Sequence, residues 1–220
     1  MKTNEELQQD VEDAIKWEPS LNAAEIGVTA KDGIVTLTGI VNSYAKKLEA
    51  EDAAKNVAGV KAMVEKIDIK FGVSGVKNDN DVASEVVNAF KLSWEVPEDN
   101  LKVKVEHGWV SLAGDVEWNY QKEAAKKAIK NLAGVKGVTN NITIKSESLD
   151  EIERKDIERA FVRSWAIDNR DIQVEVSGNR VTLNGTVNSL YQKDEAGRIA
   201  WNAPGVWSVD NELVVDHVFA

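Results

Sequence analysis

One short cassette occurs three times and limits what this chain can become. Asp32-Gly33-Ile34-Val35-Thr36-Leu37-Thr38-Gly39 returns as His107-Gly108-Trp109-Val110-Ser111-Leu112-Ala113-Gly114, and again as Gly178-Asn179-Arg180-Val181-Thr182-Leu183-Asn184-Gly185. The steps are 75 and 71 residues. Gly59, Gly134 and Gly205 recur with the same two steps, and agreement at two separated glycines makes chance matching untenable. In a chain of 220 residues, such a period means three copies of one small domain.

Each copy carries the same order of patterns. Apolar residues at helical spacing come first: Leu7, Val11, Ala14 and Ile15, then Val86, Ala89 and Phe90, then Ile157, Ala160 and Phe161. An alternating strand follows at Ile26–Ala30, at Leu101, Val103 and Val105, and at Ile172, Val174 and Val176. Asp32-Gly33 is a hairpin signal, because a type I′ turn needs positive φ. The cassette then supplies a second strand: Ile34 to Thr38, Trp109 to Leu112, and the stretch holding Val181 and Leu183. Second helices are predicted near Ser43–Ala58, Trp118–Ala133 and Ser189–Ala203, the first two closed by Gly59 and Gly134 and the third by Pro204-Gly205. Ile67 and Ile69, Ile142 and Ile144, and Leu213 and Val215 mark third strands.

The fold class is therefore α+β: three tandem α-β-β-α-β modules, each a three-stranded mixed sheet covered on one face by two helices. A right-handed crossover makes strands two and three parallel. The modules span 1–72, 77–147 and 150–220. Gly72 to Asp81, with Asp79-Asn80-Asp81, reads as the first linker, and Ser146 to Leu149 as the second.

Composition narrows the function classes. The net charge of −10 opposes nucleic-acid binding, which depends on Lys and Arg neutralising phosphates. The charge is uneven: residues 76–147 carry 10 Lys and Arg against 11 Asp and Glu, so the middle repeat is nearly neutral. There is no cysteine, and His107 and His217 lie in different repeats, so neither a disulfide nor a Cys/His zinc site is expected. Asp79-Asn80-Asp81 lacks the later Glu of a calcium loop. No nucleophile–base pair, P-loop or GxGxxG stands out. No catalytic residue, metal or cofactor is expected, and the chain reads as a non-enzyme. It has no apolar stretch of membrane-spanning length and no leader pattern, which points to the cytoplasm as the chain stands, or to the periplasm if a signal was removed.

Candidate contact residues come from the seven tryptophans and one helix. Trp17, Trp94 and Trp165 lie where each first helix ends. Their recurrence points to plugs closing the open end of a small core, with membrane-interface anchoring as the alternative. Trp109 alternates with Val110 and Leu112, so it faces the other side of the sheet, where it is expected to pack against a neighbouring repeat or hold a ligand. Trp201 and Trp207 flank Pro204-Gly205 as an inter-repeat or ligand contact. In the second helix of repeat 2, Lys122, Lys126, Lys127 and Lys130 share one side below Trp118 and Tyr120. A basic stripe beside interfacial aromatics suits anionic lipid, while an ordinary solvated helix face gives the same spacing. Gly134-Val135-Lys136-Gly137 has the spacing of a nucleic-acid-binding GXXG loop but falls between a helix and a strand.

Three modules with Asp-Gly-Ile-Val-Thr-Leu-Thr-Gly, Gly-Trp-Val-Ser-Leu-Ala-Gly and Asn-Arg-Val-Thr-Leu-Asn-Gly, each followed by a helix and Ala-Gly-Val or Pro-Gly-Val, resemble the BON domain (bacterial OsmY and nodulation). The resemblance covers nearly the whole chain. It implies a non-enzymatic bacterial domain, linked to osmotic or envelope stress, that binds phospholipid membranes or lipid-like ligands. Family glycines fall on Gly39, Gly114 and Gly185 as backbone requirements. The expected function is association with an anionic phospholipid surface or a lipid-like ligand. The alternative is a cytoplasmic adaptor or scaffold that binds a protein or a small ligand between repeats.

Overall fold

The computed structural model describes residues 2–72, 77–145, 154–164, 167 and 171–216. Repeat 1 contains α1 (Asn4–Lys16), β1 (Ile26–Lys31), β2 (Ile34–Val41), α2 (Tyr44–Lys55) and β3 (Ala62–Ile69). Repeat 2 contains α3 (Asp79–Leu92), β4 (Leu101–Glu106), β5 (Trp109–Val116), α4 (Asn119–Ile129) and β6 (Gly137–Ile144). Repeat 3 contains α5 (Arg154–Arg163), β7 (Ile172–Ser177), β8 (Arg180–Val187), α6 (Leu190–Trp201), β9 (Ser208–Asn211) and β10 (Val214–Val215). The expected α-β-β-α-β order holds three times.

Side-chain caps fix where several helices begin. Thr3 and Glu6 form a reciprocal capping box at α1. Asn78 caps α3 by accepting the Asp81 N–H at 2.9 Å. Asp79-Asn80-Asp81 is therefore not linker but the first turn of α3, where carboxylates suit the positive end of the helix dipole. Of the expected linkers, residues 73–76 and 146–149 lie outside the described residues.

In each sheet the cassette strand is central. β5 pairs antiparallel with β4, Leu101 opposite Gly114, and parallel with β6, Trp109 opposite Gly137. β2 lies between β1 and β3. The third strand of repeat 3 comes in two pieces, β9 and β10, both parallel to β8. Leu213 falls between them and is fully buried. The outer strand β4 turns Lys102, Lys104 and Glu106 to solvent, with Lys104 and Glu106 paired at 3.0 Å.

Val35 and Leu37, Val110 and Leu112, and Val181 and Leu183 form the sheet side of each core. The helix side comes from Leu7, Val11 and Ile15, from Val82, Val86 and Phe90, and from Ile157 and Phe161. The expected α2 stripe of Ala50, Ala53 and Ala54 is buried, and Val57 is half-buried.

Contacts divide the chain into two compact units. One comprises residues 1–39, 48–68 and 148–220, and the other 40–47 and 69–147. Within the first unit, repeats 1 and 3 touch. The Gly59 N–H donates to the Asn188 carbonyl at 3.2 Å. Lys55 pairs with Asp194 at 3.2 Å, and Lys61 lies 4.0 Å from Asp216. The second unit is built on the β4-β5-β6 sheet under α3 and α4.

Candidate functional site

One end of repeat 2 gathers apolar side chains that its own core does not use. Val82, Val86 and Phe90 are buried on α3. Leu92 falls about 200° round the helix from Phe90, so it points away from the sheet. Leu92 and Trp94 are each 88% exposed. The end of β5 leads directly into α4, and the chain from α3 enters β4 at Leu101, opposite Gly114 near that same strand end. Leu92 and Trp94 therefore share an end of the module with half-buried Trp118 and exposed Tyr120.

α4 starts there because the Gln121 side-chain oxygen accepts the N–H groups of Glu117 and Trp118, both at 3.0 Å. The helix buries Ala124, Ala125 and Ile129. Lys122, Lys126 and Lys130 flank that stripe with half-buried stems, and Lys127 is exposed. Among the described residues none of the four ammonium groups has an ion-pair partner. Long stems along the helix with charged heads in water is how lysine behaves at an interface.

The expectation that Trp17 and Trp94 plug their cores is overturned. Trp17 is 84% exposed at the C-cap of α1, about 200° from buried Ile15. For Trp17 the helical angle already contained that outward direction, whereas Trp94 follows the extended C-cap Ser93 and has left the helix. Trp165 lies outside the described residues.

Trp109 faces away from the helices, as its alternation predicts, and is 53% exposed. Its ring covers Gly137, where a Cβ would come within 2.3 Å of it. The glycine of the GXXG spacing is thus a strand residue that makes room for an aromatic ring. Trp201 is partly buried against the core of repeat 3, and Trp207 is exposed at the start of β9.

The opposite, hairpin-tip end of the first two modules holds a device that sequence reasoning missed. Asp79, at the start of α3, accepts the His107 N–H at 2.7 Å and the Gly108 N–H at 2.9 Å. Those two hydrogen bonds, aided by the charges of His107 and Lys136, hold its carboxyl below the usual carboxylate range. In repeat 1 the same place is taken by Asn4, whose Oδ1 accepts the Asp32 N–H at 2.8 Å.

A group with a depressed folded pKa contributes stability above its unfolded pKa and loses it as pH falls through the folded value. Acidification below about pH 3.9 should therefore loosen the β4–β5 tip. Amide exchange at His107 and Gly108, followed as pH is lowered, checks this. The loosening should be absent from Asp79→Asn, and an identical pH profile in both proteins would refute it.

A second missed device ties helix to strand. Asn140 donates through Nδ2 to the Lys122 carbonyl at 3.0 Å, and Asn211 donates to the Lys193 carbonyl at 2.7 Å. Repeat 1 has Glu65 at this position. Repeat 3 also carries a groove of about 500 Å³ between α5 and α6, floored by Ile157, Ala160, Ile199 and Ala203. Ala203 stands where repeats 1 and 2 have Val57 and Leu132, so the groove is partly a missing side chain.

No group of three or more His, Cys, Asp or Glu among the described residues could hold a metal ion. No helix among them is long and apolar enough to cross a membrane. The sequence profile of the BON domain matches residues 3–70, 78–146 and 150–217. "Osmotically-inducible protein Y" of Escherichia coli (strain K12) is 33% identical over 130 residues, covering 57% of this chain and 65% of that protein. The chain thus spans just under two thirds of that relative. Two structures of CdsD, a structural protein of the Type III secretion system of Chlamydia trachomatis, are each 16% identical. The first, a C-terminal domain, is matched over 99% of this chain and 100% of that one with a TM-score of 0.28. The second is matched over 94% and 90% with a TM-score of 0.26. At those scores the likeness adds nothing to the fold described above. With three matches that together span nearly all its residues, the chain belongs to the BON domain family.

Proposed function

We propose that this protein is a non-catalytic BON-domain protein that associates with anionic phospholipid surfaces through its second repeat, in the response to osmotic stress. The observation that carries this reading is the co-location of exposed Leu92 and Trp94 with Tyr120 at the end of the module where α4 begins its row of lysines, which have no ion-pair partner among the described residues. Exposed apolar side chains can enter the acyl boundary while lysines meet headgroups, each worth about 1 kcal/mol near an anionic surface. The name of the Escherichia coli relative supports the link to osmotic stress. The net charge of −10 works against approach by any other face, so the near-neutral repeat sets the orientation.

The test is co-sedimentation with anionic and zwitterionic vesicles. Wild type should bind anionic vesicles at low salt and release as ionic strength rises through the screening range. Changing Lys122, Lys126, Lys127 and Lys130 together to Glu should lower binding by about tenfold or more. Leu92→Ala with Trp94→Ala should weaken it without removing its salt dependence. Absence of binding by wild type at low salt overturns the reading. In that event the α5–α6 groove favours a second one, a scaffold that takes a protein segment or small apolar ligand in repeat 3.

A further inference from the structure

Repeats 1 and 2 build the same niche at the hairpin tip and fill it differently. Lys2 and Lys61 of repeat 1 recur as Lys77 and Lys136 of repeat 2, both at the 75-residue step. Gly33 and Gly59 recur as Gly108 and Gly134. Gly33 and Gly108 have the same φ of 83°. The side chains crowd the glycines in both copies. A Cβ on Gly33 would lie 2.9 Å from Cγ of Lys61, and one on Gly134 would lie 3.1 Å from Cβ of Lys77.

In repeat 2 this niche already binds an anion, one supplied by the chain. The Asp79 carboxylate receives both tip N–H groups, with Lys136 close enough to favour its charge. In repeat 1 the carboxylate is replaced by the neutral amide of Asn4. Its oxygen takes the Asp32 N–H, which leaves its Nδ2, a donor, without a partner among the described residues. The Gly33 N–H, equivalent to the Gly108 N–H that Asp79 satisfies, also has no partner among the described residues. A cavity of about 270 Å³ opens there, lined by Lys2, Asn4, Asp32, Gly33, Gly59 and Lys61. Lys2 is held at its rim by Asp10 at 2.5 Å and by the Ala58 carbonyl at 3.2 Å, and Lys61 by Asp216 at 4.0 Å.

We infer that the Lys2–Lys61 niche of repeat 1 binds an external phosphate-type oxyanion in the place where repeat 2 holds the Asp79 carboxylate. The Gly33 N–H, the Asn4 amide and two ammonium groups supply donors from several directions, as a tetrahedral oxyanion requires. Asp32 also lines the cavity, and its exposed carboxylate disfavours bulky polyanions there. This site is at the hairpin-tip end of its module, whereas the apolar residues of the proposed lipid contact gather at the other end of a different repeat.

The experiment is a titration of the ¹⁵N-labelled full chain with inorganic phosphate, against sodium chloride at matched ionic strength. The Gly33 amide should shift and saturate, while the Gly108 amide stays still. Asn4→Asp gives repeat 1 the internal carboxylate of repeat 2. It should move the Gly33 amide in the absence of phosphate and weaken the phosphate response by about tenfold or more. Asp79→Asn should confer a phosphate response on Gly108. A Gly33 amide that ignores phosphate, or one that responds equally in Asn4→Asp, overturns the inference. Sedimentation with vesicles containing phosphatidic acid separates the sources. Lower binding by Asn4→Asp places the phosphate on a lipid, and unchanged binding with a lost phosphate shift makes it a soluble ion. The Lys122, Lys126, Lys127 and Lys130 charge reversal should leave the Gly33 shift intact, so failure of the lipid contact and failure of this site are separate results.

Discussion

Gly114→Ala should strip repeat 2 of a large part of its stability. The residue sits inside β5 at φ 135°, and a Cβ there would come within 2.1 Å of the Asn100 carbonyl oxygen and 3.2 Å of the Leu101 Cα. Those atoms are backbone, held by the entry to β4, so no flexible side chain can yield. Backbone strain at such a φ costs about 1–3 kcal/mol. Overpacking against fixed atoms costs a similar amount, for a combined loss of about 4 kcal/mol. A small domain has only about 5–15 kcal/mol of total stability, so the change removes a large part of it.

The equivalent glycines face the same obstacle, 2.1 Å from the Glu25 oxygen at Gly39 and 1.8 Å from the Asp171 oxygen at Gly185. The informative control is Gly178→Ala. Its φ is also positive, at 57°, but nothing lies within 4 Å of the added Cβ. That change should cost only about 1 kcal/mol. Urea denaturation of the two variants measures the contrast, and equal losses would mean that φ alone, not close approach, governs the cassette glycine.

Phe161→Ala should be nearly as damaging in repeat 3. The ring is 2% exposed, within a core that includes Ile157, Val174, Leu183, Ala200 and Leu213. Removing a buried phenyl ring leaves a cavity that rigid neighbours fill poorly, at a cost of about 3–5 kcal/mol. The groove between α5 and α6 lies beside the same helix, so repeat 3 already has less packing above its core than its sequence pattern suggests. Amide exchange along β7 and β8 should accelerate by the factor corresponding to that loss. A change confined to the α5 amides would show instead that the helix docks independently of the sheet. Phe161→Leu, which keeps most of the volume, should cost less than half as much.

The repeated cassette made the module count and the order of elements legible, because glycine spacing and strand alternation are local. Its ends were less so. The second strand was expected to stop before Gly39, but β2 continues through it to Val41, since the glycine pairs with Ile26 and does not break the ladder. Leu213 was expected inside a single third strand and falls instead between β9 and β10, still buried.

The lysine stripe was readable from its spacing, whereas the lack of ion-pair partners for its ammonium groups among the described residues depends on which carboxylates the fold brings near. Asp79 was misread because three charged or polar residues in a row look like solvent-exposed linker, and the tip amides that it holds are 28 and 29 residues away. The exposure of Trp17 was available from helical angle and was outweighed by the regular recurrence of tryptophan, whereas Trp94 lies beyond the end of α3, where that angle no longer applies.

The charged outward row of β4 has a further consequence, for assembly during synthesis. Three modules with nearly interchangeable strands emerge one after another on a single chain, so each open sheet border is a template for the wrong neighbour. A border carrying Lys102, Lys104 and Glu106 makes stacking or annealing with a sister strand electrostatically poor, while leaving the apolar alternation that recruits its own α3 and β5 untouched. Neutralising that row would leave the native repeat almost as stable as before, yet it would let tandem copies exchange strands and aggregate before each has closed.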